Sequence, residues 1–131
     1  MDLSMRILIV DDTDTVRRVL RDILHSIGFT SILEADNGLS ALDKLKDDEL
    51  DFDLIISDWN MPQMNGLELL NAIRNDRRFS KYRDIPYLML TSESQRKSVV
   101  LAIKAGVTNY LVKPFSADSI NQKLREMFDQ K

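Results

Sequence analysis

The sequence has no cysteine, a single histidine, a single tryptophan and only three prolines and four glycines among its 131 residues. Without cysteine, disulfides and thiolate-ligated zinc are excluded, which suits a reducing compartment. His25 lies inside a helical stretch away from every candidate site, so a structural or surface role is expected for it. No apolar run approaches the roughly 20 residues that a membrane span needs, and Met1 to Val10 lacks the charged, apolar and small-residue order of a secretory signal. A cytoplasmic protein with no membrane partner is the expectation. An isoelectric point near 5.1 lacks the basic footprint of a nucleic-acid binder. Repeats, low-complexity tracts and interdomain linkers are missing as well.

What is present fits one domain over residues 1–131, with 44% hydrophobic residues to fill a single core. The formal net charge of −3 hides a gradient. Residues 1–60 carry 14 acidic and 6 basic side chains, whereas residues 61–131 carry 7 and 12. An acidic region and a separate basic surface are therefore expected.

Met5 to Val10 reads as an apolar strand ending in Asp11 and Asp12. Asp14 is placed to cap a helix whose stripe is Val16, Leu20, Ile23, Leu24 and Ile27, with Arg17, Arg18 and Arg21 turned outward and Gly28 as its stop. Ile32 to Ala35 predicts a second strand, and Leu39, Leu42 and Leu45 a second helix. Leu54 to Ser57 is a buried strand that stops at Asp58, before a loop with Pro62, Asn65 and Gly66. A helix from Gly66 to Ile73 follows, then a polar, arginine-rich connection from Asn75 to Asp84. Pro86 to Leu90 is a fourth strand ending at Thr91. Ser92 and Gln95 have capping-box spacing before a helix with Val99, Val100 and Ile103. Tyr110 to Val112 is a fifth strand ending at Lys113, and Ser116 caps a last helix with Ile120, Leu124, Met127 and Phe128 inside.

Five strands alternating with five helices predict an α/β fold, a doubly wound parallel sheet covered on both faces. In such sheets, ligands collect outside the carboxyl ends of the strands. That edge would gather Asp11, Asp12, Asp58, Thr91 and Lys113. Three carboxylates repel one another unless a cation relieves them, and an oxygen-only donor set favours Mg²⁺, with Mn²⁺ able to substitute. Lys113 offers a point charge to a phosphoryl group and Thr91 a hydrogen bond. Asp58 is placed to act as a carboxylate nucleophile towards phosphorus.

The run Asp58-Trp59-Asn60-Met61-Pro62, continuing through Gly66-Leu67-Glu68-Leu69-Leu70, and the run Tyr110-Leu111-Val112-Lys113-Pro114-Phe115 resemble the response-regulator receiver domains of two-component signalling, of the chemotaxis CheY type. The likeness extends over essentially the whole chain. It implies a flavodoxin-like sheet of order 2-1-3-4-5, of which these receivers are themselves a standard example. It implies phosphorylation of Asp58 by a histidine kinase of the chemotaxis type. Mg²⁺ would be bound by Asp12, Asp58 and the Asn60 backbone carbonyl, with Asp11 acting through water. Lys113 would hold the phosphoryl group, Thr91 would move towards it, Tyr110 would turn inward on activation, and Lys113-Pro114 would be a cis peptide. A face carrying Lys97, Lys104, Tyr110, Val112 and Lys123 would meet an acidic partner, a flagellar motor switch protein, and a phosphatase would reset the state. The chain would be a monomer and no enzyme beyond its own phosphorylation and dephosphorylation. As it stops at Lys131, output is expected through a protein contact.

Thr13 and Asp14 depart from the aromatic and serine usual after the acidic pair. An alternative is a receiver without a motor target: a phosphorelay intermediate, a phosphate sink, or a regulator of another protein. Asp12-Thr13-Asp14-Thr15-Val16 also resembles the first motif of haloacid-dehalogenase-type phosphatases. That family needs an acidic metal-binding pair after its lysine, and here only Asp118, Glu126 and Asp129 follow Lys113, all within the last helix.

Overall fold

A computed structural model of the chain describes residues 1–92 and 97–129. The order is β1 (Arg6–Val10), α1 (Asp14–Ile27), β2 (Ser31–Ala35), α2 (Gly38–Leu45), β3 (Leu54–Asp58), α3 (Gly66–Asn75), a 3₁₀ helix (Arg77–Tyr82), β4 (Tyr87–Thr91), α4 (Val99–Lys104), β5 (Asn109–Val112) and α5 (Ala117–Phe128). All pairings are parallel and the strand order is β2-β1-β3-β4-β5.

Side chains of a strand alternate between faces, so each central strand feeds two cores. Leu8, Val10, Ile55, Tyr87 and Met89 pack with Leu42 of α2 and Leu69, Leu70 and Ile73 of α3. On the opposite face, Ile7, Ile9, Leu54, Ile56, Leu88 and Leu90 meet Leu20 and Leu24 of α1 and Ile120 and Leu124 of α5. Each fully buried aliphatic chain contributes roughly 1.5–3 kcal/mol. The register pairs Val10 with Ser57, Asp58 with Leu90 and Thr91 with Val112, which brings four strand ends to one edge.

Local features depart from the sequence reading at some points and match it at others. The N-cap of α1 is Thr13, without a side-chain bond, and Asp14 is the first helical residue. Gly28 does end α1, at φ 125°, donating its N–H to Leu24 and His25 carbonyls. The arginine-rich connection is folded: Phe79 and Tyr82 are buried, the Tyr82 hydroxyl donates to the Leu50 carbonyl at 2.9 Å, and its ring sits 6.3 Å from that of Phe52. Two aromatics spaced three apart thus build a 3₁₀ turn, making six helices among the described residues where five were expected. In α4 the inward residues are Val99 and Ala102, while Val100, Leu101 and Ile103 are 55%, 52% and 58% exposed. The Ser92–Gln95 capping box falls partly on Gln95, outside the described residues.

Candidate functional site

Asp58 is the last residue of β3 and only 8% exposed. The hydroxyl of Ser57 donates to its carbonyl at 2.9 Å, and the following Trp59 N–H donates to Leu90 on β4 at 3.0 Å. Gly66 N–H returns to the Trp59 carbonyl at 2.8 Å, closing the loop so tightly that a Cβ on Gly66 would lie 2.3 Å from the Asp58 carbonyl oxygen. Asn65 and Glu68 form a capping box that starts α3 here.

Asp11 follows β1 and is 1% exposed. Its N–H donates to the Ala35 carbonyl at 3.1 Å, and its Oδ1 accepts from the Thr13 N–H at 2.8 Å. Its Oδ2 is buried without a hydrogen-bond partner. Lys113 Nζ lies 4.0 Å from that oxygen, an ion pair too long for a hydrogen bond, and 2.9 Å from Asp58 Oδ1. Lys113 is held in turn by its own N–H, which donates to the Thr91 carbonyl at 2.7 Å, and the Lys113–Pro114 peptide is cis as the resemblance implies. Burial pushes the Asp11 carboxyl up, opposed by the Thr13 N–H; the charges of Asp58 and Asp12 raise it further and Lys113 counters them.

One oxygen from each of Asp11, Asp12 and Asp58 lies within 4.8 Å of the others. Three carboxylates facing one ammonium leave a formal excess of two negative charges, and Asp11 Oδ2 lacks a donor. A hard divalent cation matches both the charge and the oxygen-only donor set. Asp12 and Asn60 are exposed and line one open groove with Met61, Pro62 and Asn65, so an ion would have a path to the cluster.

Thr91 is fully buried, and its Oγ1 has no hydrogen-bond partner. It lies one residue past the Asp58–Leu90 pair on the neighbouring strand. Tyr110 sits lower on β5, paired with Met89, and is half-buried; Lys123 Nζ lies 5.8 Å from its ring centre. Lys97, two residues before α4, and Lys104, its last residue, are exposed, and Val112 and Lys123 are half-buried. His25 is exposed on α1.

Arg17 was expected to point outward and does not. Its side chain is 13% exposed, with Nε 3.1 Å from Glu34 Oε1 on β2, Nη1 2.5 Å from the Asp11 carbonyl, and Nη2 on Asp14 Oδ1. Its position one residue from Val16 marked it as flanking the stripe, but nothing local reveals that Glu34 stands opposite.

A family model for the response regulator receiver domain matches residues 7–125. The chemotaxis protein CheY-3 of Vibrio cholerae is 43% identical over 130 residues, covering 99% of this chain and 96% of that protein. CheY1 of Helicobacter pylori is 44% identical over 120 residues, covering 92% and 94%. Two solved structures of Vibrio cholerae CheY4 superpose with TM-scores of 0.81 and 0.82 at 32% identity, over 95% of this chain and 99% of each of those chains. With that match spread over both cores and every strand end of the acidic edge, the chain belongs to the response-regulator receiver domain family.

Proposed function

We propose that this chain is a chemotaxis-type response regulator that accepts a phosphoryl group on Asp58 from the phosphohistidine of a histidine kinase and thereby switches its affinity for a protein target. The observation that carries the reading is the contact of Lys113 Nζ with Asp58 Oδ1 at 2.9 Å inside a cluster of three carboxylates.

In the transfer, a carboxylate oxygen of Asp58 attacks phosphorus, the P–N bond of the donor breaks, and its electron pair stays on the imidazole nitrogen. Asp12, Asp58 and the Asn60 carbonyl would hold Mg²⁺, with Asp11 through water. Bound there, the ion supplies charge neutralisation for the phosphoryl oxygens. Lys113 holds the phosphoryl group as a charge-assisted donor. The buried Thr91 hydroxyl gains in the phosphoryl oxygen the acceptor it lacks. An apolar groove lined by Val16, Val19, Pro114 and Phe115 opens beside Lys113, at the edge a donor protein must cover.

Drawn towards the phosphoryl group, Thr91 vacates space that Tyr110 fills, and the surface of α4, β5 and α5 changes with it. That surface carries Lys97, Lys104, Tyr110, Val112 and Lys123, and the exposed Val100, Leu101 and Ile103 add apolar area. Its make-up suits a short acidic, amphipathic segment of a flagellar motor switch protein. Curated relatives are named as chemotaxis proteins, which favours this target class. Such a chain is a signalling protein rather than a classical enzyme.

The test is incorporation of base-labile phosphate from acetyl phosphate or a phosphorylated kinase. Label that disappears in Asp58→Asn and with EDTA is expected. Normal labelling of Asp58→Asn, or labelling that survives EDTA, overturns the reading.

A further inference from the structure

We infer that Arg17 is a positioning residue for the acidic pair, holding the Asp11–Asp12 peptide so that the carboxylates of that turn meet Asp58 in cation-binding geometry. The inference rests on the proposed Mg²⁺ site and adds a residue outside it.

Asp11 is fixed on three sides. Its N–H is tied to β2 through Ala35 and its Oδ1 to the Thr13 N–H, and its carbonyl accepts from Arg17 Nη1. That carbonyl belongs to the peptide joining Asp11 to Asp12, and the orientation of this peptide plane sets the direction in which Asp12 leaves the strand end. Asp12 is exposed, so burial does not fix that direction. The guanidinium supplies the constraint, and it is itself aimed by Glu34, which also accepts from Arg21 Nη1 at 2.9 Å. The line of contacts runs from β2 through Glu34 and Arg17 to the turn that carries the metal donors.

The same fork engages Asp14, whose carboxylate is otherwise 88% exposed. Held there, Asp14 stays with α1 instead of joining the carboxylates, so the donor set remains Asp11, Asp12 and Asp58. Satisfying a carbonyl and two carboxylates at once requires the planar, five-donor guanidinium; an ammonium keeps the charge but cannot span them.

The deciding variant is therefore Arg17→Lys, which holds the local charge constant and removes the fork. Mg²⁺ binding is followed by amide NMR shifts at the strand ends, with thermal unfolding in EDTA alongside and Arg18→Lys, exposed on the same helix, as the control. The Mg²⁺ dissociation constant of Arg17→Lys is expected to rise roughly tenfold, as when an outer partner of a metal ligand is lost. Labelling from acetyl phosphate should fall at limiting Mg²⁺ and recover as Mg²⁺ is raised. Should Arg17→Lys not fold, Glu34→Gln, which loosens the aim of the fork, decides by a smaller rise of about threefold, on the same scale of outer-partner effects. An unchanged Mg²⁺ dissociation constant in the folded variant, whatever happens to its melting temperature, overturns the role. Wild-type protein that binds no Mg²⁺ overturns the underlying site as well, so the two failures are told apart.

Discussion

Lys113 Nζ stands 2.9 Å from Asp58 Oδ1 and 4.0 Å from Asp11 Oδ2, so a single ammonium serves carboxylates delivered by two different strands. The ammonium occupies the field that a divalent cation would use, and the two compete for it. Lys113→Met is expected to tighten Mg²⁺ binding roughly tenfold, about 1.4 kcal/mol. Phosphate incorporation at saturating Mg²⁺ should nevertheless fall about a hundredfold, the usual cost of losing one donor aimed at developing charge. Weaker Mg²⁺ binding in Lys113→Met would show that the lysine organises the carboxylates rather than competing for them.

Burial and the neighbouring carboxylates raise the Asp11 carboxyl above its unfolded value. Between the two values the native state binds more protons than the unfolded state, so this group's contribution falls as pH rises through that window. At neutral pH, ionised Asp11 is thus a net cost to the metal-free protein. Asp11→Asn should stabilise it in EDTA at pH 7 by about 1 kcal/mol, or roughly 3–5 °C at this chain length. The advantage should shrink as pH is lowered from 7 through that window. Added Mg²⁺ should raise the melting temperature of wild type more than that of the variant. A variant that melts below wild type at pH 7 would mean that the Oδ1 contact to Thr13 outweighs the repulsion.

Gly66 packs against the backbone of Asp58, the proposed phosphoacceptor. In Gly66→Ala the new Cβ would meet the Asp58 carbonyl at 2.3 Å and Met89 Sδ at 2.8 Å. The sulfur can move, but the carbonyl, which already accepts from Ser57, cannot without shifting Asp58. A loss of about 2–3 kcal/mol is expected in urea unfolding, together with slower labelling at saturating Mg²⁺. Wild-type stability in this variant would show that the β3–α3 loop yields freely.

The carboxylate edge was legible because it depends only on where strands stop. Asp11, Asp12, Asp58, Thr91 and Lys113 each terminate an apolar run, and parallel topology does the rest. Features set by the opposite partner were not legible. Arg17 looks like a solvated residue until Glu34 is placed across from it on β2. Charge disguised the 3₁₀ turn at Arg77–Tyr82, whose stability comes from Phe79 and Tyr82 packing towards Leu50 and Phe52. In α4, a run of apolar residues gives no phase, so naming Val99, Val100 and Ile103 could not single out Val99 and Ala102 as the buried pair. At α1, Asp14 has the chemistry of a cap, but Arg17 draws it into the first turn.

The proposed output surface gives the last prediction. In the unphosphorylated chain, Tyr110 is half-buried with Lys123 Nζ 5.8 Å from its ring centre, and Lys123 also pairs with Glu126 at 3.6 Å. Inward rotation of Tyr110 would dissolve the ring contact and leave Lys123 available to an acidic ligand, while the exposed Leu101 and Ile103 offer the apolar half of the interface. A ligand shifts a conformational equilibrium only through differential affinity, so coupling must appear as a ratio of dissociation constants. An acidic amphipathic segment of a flagellar motor switch protein, titrated by calorimetry, is expected to bind the beryllofluoride-treated protein roughly tenfold more tightly than the free protein, a coupling of about 1.4 kcal/mol. Lys123→Ala should weaken binding in both states, and Tyr110→Ala should reduce the ratio towards one. Equal affinity of wild type in the two states would refute the switch for this partner, and absence of binding in both would move the assignment to a receiver whose target is not the motor.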